Sequence, residues 1–177
     1  METAVFGGGC FWCTEAIFQR LRGVESVMPG YAGGTVENPS YEQVSSGTSG
    51  HAEVIKIDFD PALINFRDLL EVFFSAHDPT TLNRQGADEG TQYRSVVLYA
   101  SPEQKEETEK FIQELTEQKV FEKPIVTTLE PLTKFYEAEQ YHRDYYNQNQ
   151  SAGYCQVVIN PKLAKFKQKY ADKLKPE

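Results

Sequence analysis

Two thiols three positions apart, Cys10 and Cys13, bracket the only tryptophan of the chain in the segment Gly9-Cys10-Phe11-Trp12-Cys13-Thr14. The glycine run Gly7-Gly8-Gly9 leads in, and an apolar stretch that reads as a helix leads out. A thiol at a helix start meets free backbone N–H groups and the positive end of the helix dipole, which predicts a stabilised thiolate at Cys10. The thiolate is the nucleophilic form. A second thiol at this spacing can attack the first once it has been modified. A lone cysteine more often fills a core, but a glycine run, a strand–helix junction and an aromatic pair together point to sulfur redox chemistry on an apolar group.

Three chemistries compete for these thiols. A zinc site needs about four ligands; the chain offers three cysteines, scattered His51, His77 and His142, and no second CxxC, so no metal is expected. A general CxxC dithiol–disulfide oxidoreductase would use Cys10 and Cys13 alone. A sulfoxide reductase or peroxidase would leave Cys10 as a sulfenic acid, which a resolving thiol converts to a disulfide. The third thiol suits that cycle: Cys155 lies in Ser151-Ala152-Gly153-Tyr154-Cys155, a glycine-containing stretch that could reach back. A non-catalytic alternative is a peptide-binding module whose aromatic pocket captures methionine-like side chains.

Further polar residues could serve the same site. Glu53, in Gly50-His51-Ala52-Glu53, stands at the start of an apolar strand, where burial would raise its pKa and keep it protonated. Such an acid can donate to a departing oxygen. Asp88 and Tyr93 lie in Asp88-Glu89-Gly90-Thr91-Gln92-Tyr93-Arg94-Ser95, and Tyr41 closes Asn38-Pro39-Ser40-Tyr41. Each alone reads more readily as an edge, turn or surface residue.

The elements that must position these groups follow from periodicity and punctuation. Strands are expected at residues 3–8, 24–31, 53–59, 95–99 and 124–129, and helices at 13–21, 66–76, 102–119, 138–148 and 161–173. Residues 33–50 read as loop with a short helical piece at 41–44, and residues 78–94 as a long functional loop. The β-α-β-β-α-β order with an α-β extension predicts an α+β, ferredoxin-like two-layer sandwich of the split β-α-β type. The whole of residues 1–177 is expected to be one catalytic domain, with about 150–177 a tail carrying Cys155.

Composition agrees with an ordinary globular chain: 177 residues, 40% hydrophobic and 25% charged. The net charge of −8 argues against a nucleic-acid partner. No apolar run is long enough to span a bilayer and no signal peptide is recognised, so the expected setting is cytoplasmic, without membrane partners, and the expected assembly a monomer.

Six motifs in order then resemble one family. Gly9-Cys10-Phe11-Trp12, Gly30-Tyr31-Ala32-Gly33-Gly34, Asn38-Pro39-Ser40-Tyr41, Gly50-His51-Ala52-Glu53, Gly90-Thr91-Gln92-Tyr93-Arg94-Ser95 and Glu139-Gln140-Tyr141-His142 are similar to methionine sulfoxide reductase A over about residues 3–160. The resemblance implies reduction of the S epimer of methionine sulfoxide, free and in proteins, with thioredoxin as reductant and no metal or organic cofactor. It also implies roles: Cys10 as nucleophile, Phe11 and Trp12 as the wall for the substrate methyl group, Glu53 as the acid, Tyr41 and Tyr93 as donors to the oxygen, and Asp88 as their orienter. The family's commonest pattern has glycine where this chain has Cys13. Cys13 and Cys155 therefore both stand as resolving candidates, with Cys155 mildly favoured as a participant.

Overall fold

The computed structural model describes residues 1–176. It is an α+β fold built on one six-stranded mixed sheet. In chain order the elements are β1 (Glu2–Gly7), α1 (Phe11–Phe18), β2 (Val24–Ala32), α2 (Tyr41–Ser45), β3 (Ala52–Phe59), α3 (Phe66–Ala76), β4 (Arg84–Gln85), β5 (Asp88–Glu89), β6 (Val96–Tyr99), α4 (Pro102–Glu117), β7 (Thr128–Pro131), β8 (Phe135–Glu137), α5 (Tyr145–Gln148) and α6 (Asn160–Lys169). The sheet order is β7-β6-β1-β3-β2-β8. All neighbours are antiparallel except β6 and β7, which run parallel.

Strand alternation decides which side chains meet the helices. Along β3, residues Ile55, Ile57 and Phe59 join Phe6 of β1 and Leu70 and Phe73 of α3 in the main core. Ala52 and Val54 point to the opposite face, with Val5, Val96 and Leu98. The period of two puts Glu53 on the helix side. Because β3 is central, Glu53 has no edge to escape to, and it is 1% exposed. Phe6 and Phe73 stack at 4.7 Å in this layer, where full burial of each ring is worth about 1.5–3 kcal/mol.

Helix starts follow from local capping. Asn65 and Asp68 form a reciprocal capping box on α3, and Ser40 and Gln43 do so on α2. Ser101 caps α4, with Pro102 in its first turn. The α2 box fixes the backbone direction at Tyr41, the first helical residue.

Several sequence expectations shift. Helix α1 begins at Phe11, not Cys13, so Cys10 becomes its N-cap and Cys13 lies inside its first turn. The long loop at 78–94 carries the small β4–β5 hairpin and a 3₁₀ turn at Thr91–Tyr93. The strand expected at 124–129 lies at Thr128–Pro131, and β8 was not foreseen.

The helix expected at 138–148 is the largest correction. That stretch holds a 3₁₀ turn at Gln140–His142, Asp144 in the left-handed region at φ 54°, and only a four-residue helix. Tertiary anchors override local helix preference here: Glu139 is tied to Tyr31 and Tyr41, and the Asp144 backbone to Glu15. Nor is the segment after residue 150 a loose arm. Cys155 is fully buried at the start of a π-helical turn, Cys155–Ile159, that runs into α6. Ile159, Leu163, Phe166 and Tyr170 pack in the main core.

Candidate active site

The loop between β1 and α1 delivers Cys10. Gly9 sits at φ +88°, and a Cβ there would lie 2.8 Å from the Gln85 side chain. The left-handed backbone and this close approach both require glycine. Gly9→Ala is expected to cost about 1–3 kcal/mol of strain and to lower turnover; unchanged melting temperature and kcat would show that the turn tolerates a side chain.

Cys10 caps α1 but is half-buried, and its thiol is pushed well above its ordinary value. Burial is the main cause, followed by repulsion from Glu53; the Trp12 backbone N–H and the Tyr154 hydroxyl oppose it. The expectation of a depressed pKa is therefore overturned: desolvation outweighs the helix terminus. Cys13 is also raised by burial, with Asp88 and Cys155 adding to the effect and Lys162 opposing it. Neither thiol has the depressed pKa of a reactive dithiol.

Glu53 lies directly beneath this loop. Its Oε1 accepts from the Phe11 backbone N–H at 3.1 Å. Burial pushes its pKa up to about 8, helped by the Asp88 charge, while the Phe11 N–H and a hydrogen bond with Cys10 pull it down. The carboxyl is thus protonated at neutral pH. Tyr41 and Tyr93 are both raised by burial first, then by Glu53, and Cys10 acts on each in the same sense. Cys10, Glu53, Tyr41 and Tyr93 accordingly lie near enough for their charges to act on one another.

Aromatic side chains flank this group. The Trp12 indole stacks on Tyr145 at 3.8 Å and 9°, and its Nε1 donates to His142 Nδ1 at 3.0 Å. Tyr154 meets it edge-on at 5.7 Å. Trp12 is partly buried, whereas Phe11 is wholly enclosed between Tyr31 and His142. Asp88 accepts from Tyr154 Oη at 2.9 Å.

The structure thus brings Cys10, Phe11, Trp12, Glu53, Tyr41, Tyr93 and Asp88 into one neighbourhood. It also reveals residues that sequence reasoning passed over. Tyr154 bridges Asp88 to the Cys10 thiol; its only sequence signal was its place before Cys155. Glu139 accepts from Tyr31 Oη at 2.8 Å and from the Tyr41 backbone N–H at 2.9 Å, anchoring α2 to β2. Arg94 donates to the carbonyls of Gly50 and Thr91, each at 3.0 Å, joining the turn that leads into β3 to the 3₁₀ turn that carries Tyr93. His51 accepts from the Gly34 N–H at 3.0 Å and closes on the Val36 carbonyl. Several motif residues therefore hold loops around the site rather than act within it.

Among the described residues no group of three His, Cys, Asp or Glu side chains converges to hold a metal. A cavity of about 950 Å³ opens elsewhere, between α3, α4 and α6, and contains none of the catalytic candidates. What the site can do is present a thiol, a neutral carboxylic acid and two phenols to a small polar group carried on an apolar one.

Comparison with known proteins agrees with that chemistry. The family model described as peptide methionine sulfoxide reductase matches residues 2–174. The peptide methionine sulfoxide reductase MsrA of Deinococcus radiodurans is 55% identical over 174 residues, covering 98% of this chain and 84% of the relative. Reduced Mxr1 from Saccharomyces cerevisiae superposes with a TM-score of 0.79 at 34% identity, over 87% of this chain and 88% of its own. Mxr1 in complex with Trx2 matches at a TM-score of 0.56 and 25% identity, over 81% and 84%. A match that spans the sheet from β1 to α6, over a site of this chemistry, places the chain in the peptide methionine sulfoxide reductase family, and it reduces methionine sulfoxide.

Proposed function

We propose that Cys10 is the nucleophile and Glu53 the acid in reduction of the S epimer of methionine sulfoxide, free and in proteins. The observation that carries this reading is a carboxyl buried to 1% exposure beside the thiol, its Oε1 accepting at 3.1 Å from the backbone N–H of Phe11, the residue after Cys10; burial raises it to about 8. The substrate methyl group lies against Trp12, with Phe11 behind it; sulfur and methyl pack favourably on aromatic rings. The sulfoxide oxygen points to Glu53, Tyr41 and Tyr93. Fixing methyl and oxygen on opposite sides selects one epimer. Asp88 orients Tyr154 and keeps Glu53 protonated through its charge.

As the Cys10 sulfur attacks the sulfoxide sulfur, Glu53 gives its proton to the oxygen, and the thiol proton passes to the carboxylate. The phenols stabilise charge building on that oxygen. The attack forms a bond between the Cys10 sulfur and the substrate sulfur, leaving the protonated oxygen on the adduct. The hydroxyl then passes to Cys10 as that S–S bond and the substrate S–O bond break, so Cys10 is oxidised to a sulfenic acid and methionine leaves reduced as the thioether. With Glu53 neutral, its repulsion of the thiolate is absent, and the Trp12 N–H and Tyr154 hydroxyl still favour that form.

Cys13 resolves first in this scheme. It lies in the first turn of the helix that Cys10 caps, its backbone N–H on the Cys10 carbonyl at 3.1 Å, and Cys155 is buried in the same core as Cys13. Cys13 attacks the sulfenic acid and releases water; Cys155 then attacks Cys13, freeing Cys10 and leaving a Cys13–Cys155 disulfide. A thioredoxin reduces it, by analogy with the Trx2 partner of the yeast relative. The four central strands, β6-β1-β3-β2, with α1 and α3, are read as the ferredoxin-like unit of a single catalytic domain. We assign it to the cytoplasm, where reduced thiols persist.

Single-turnover reaction with free-thiol counting and mass spectrometry tests the order. Cys13→Ser should accumulate Cys10 sulfenic acid, and Cys155→Ser should stop at Cys10–Cys13. A stoichiometric Cys10–Cys155 disulfide formed by Cys13→Ser at the wild-type rate would make Cys155 the first resolver.

A further inference from the structure

Glu15 takes no part in the chemistry above, yet it is 2% exposed, one turn beyond Trp12 on α1. A buried carboxyl without partners would be costly. Both of its oxygens accept from the Asp144 backbone N–H, at 3.0 and 3.1 Å, and the Tyr145 N–H also favours its ionised form. One turn further, Gln19 Nε2 donates to Asp144 Oδ1 at 3.0 Å, an oxygen that also accepts from Asn147 Nδ2 at 2.6 Å. Trp12, Glu15 and Gln19 thus form one stripe of α1, spaced i, i+3 and i+7. The stripe grips residues 144–147.

The grip acts on a strained point. Asp144 stands in the left-handed region at φ 54°, which costs about 1–3 kcal/mol for a non-glycine residue unless its surroundings hold it. The next residue, Tyr145, is the ring on which Trp12 stacks at 3.8 Å. Only the Glu15 carboxylate offers two acceptor oxygens to this backbone; a protonated acid keeps one.

We propose that Glu15 is a positioning residue for substrate binding, fixing the 144–145 backbone and through Tyr145 the Trp12 face that receives the sulfoxide methyl group. This rests on Trp12 being the methyl wall. Burial pushes Glu15 up to about 7, the backbone N–H of Asp144 pulls it down, and the Asp144 carboxylate raises it further. The Arg20 guanidinium, just past the end of α1, is turned away, to Asn147 Oδ1 at 2.9 Å and over the Tyr146 ring. The grip therefore slackens as pH falls through about 7.

The chain has one tryptophan, so its fluorescence reports on Trp12 alone. In the wild type, lowering the pH through neutrality should shift that emission and raise KM for a methionine sulfoxide peptide. Glu15→Gln should show the raised KM at all pH values, by about tenfold, equivalent to about 1.4 kcal/mol of lost binding. Its kcat should stay within about twofold, because the reacting groups are untouched. Tyr145→Ala should reproduce the raised KM and shifted emission while Tyr145→Phe should not, and this pair carries the test if Glu15→Gln does not fold. Unchanged KM and emission in Glu15→Gln or Tyr145→Ala, or equal losses in kcat and KM with a lower unfolding midpoint, would overturn the proposal. Trp12→Phe separates the two readings: no change in its KM would remove the methyl wall itself, whereas a raised KM there with none in Glu15→Gln would remove only Glu15.

Discussion

Cys10→Ser is expected to abolish turnover of methionine sulfoxide, a fall on the order of 10⁴–10⁶-fold, the scale on which loss of a catalytic nucleophile is felt. The oxygen of serine cannot accept the substrate oxygen as sulfur does, so no sulfenic acid forms and neither Cys13 nor Cys155 has anything to resolve. The substitution is nearly isosteric at a half-buried position, so folding and binding should survive. Steady-state assay with a thiol reductant measures the loss. Binding is followed by quenching of the Trp12 emission, which should be retained. Residual activity above about a percent of wild type would mean that a second thiol can start the reaction, against a nucleophile contribution of this size.

Glu53→Gln should slow the sulfoxide step by about 10²–10⁴-fold, the usual contribution of a positioned general acid. The sign with pH follows from the raised value of about 8. Wild-type activity should fall as Glu53 loses its proton above that value, while the slow variant should lack this limb. Single-turnover rates from pH 6 to pH 10 measure it. The idea fails if wild type and variant keep parallel profiles.

The same carboxyl has a stability signature. Its folded pKa lies above its unfolded one, so the stability it confers is present below about pH 4.5 and is lost progressively up to about pH 8, with a total on the order of 3–5 kcal/mol. Glutamine keeps the acceptor for the Phe11 N–H but has no charge to bury. The melting temperature of Glu53→Gln should therefore exceed that of wild type by more at pH 9 than at pH 6. Glu15, raised to about 7, leaves a residual slope of the same sign in the variant.

Much of the fold was legible because its signals are local. Residues 53–59 alternate and are flanked by a proline, and 66–76 carry apolar residues at helical spacing; both elements appear with nearly those bounds. Residues 138–148 misled because Ala, Glu, Gln and Tyr are compatible with a helix, whereas the chain there is bent by Glu15, Tyr31 and Tyr41. Those partners are 98 to 129 residues away, out of reach of any window. Cys155 misled for a related reason: a glycine-containing neighbourhood suggested freedom, but the apolar face of α6 draws the whole segment into the core.

By itself the sequence determined the chemistry on offer: a cysteine at a strand–helix junction, a carboxyl on an apolar strand, phenols at loop ends and an aromatic wall, in an order that marks one family. Residue type and short spacing suffice for that. Only the tertiary structure decided the protonation states. Burial holds Glu53 as an acid near neutrality and pushes Cys10 up where the helix start alone pointed down. It also placed Cys13 and Cys155 in the core, and tied Tyr154 to Asp88, Glu139 to Tyr41 and Glu15 to Asp144. Desolvation and contact are properties of what surrounds a group, and the surroundings are assembled from strands and helices far apart in the chain.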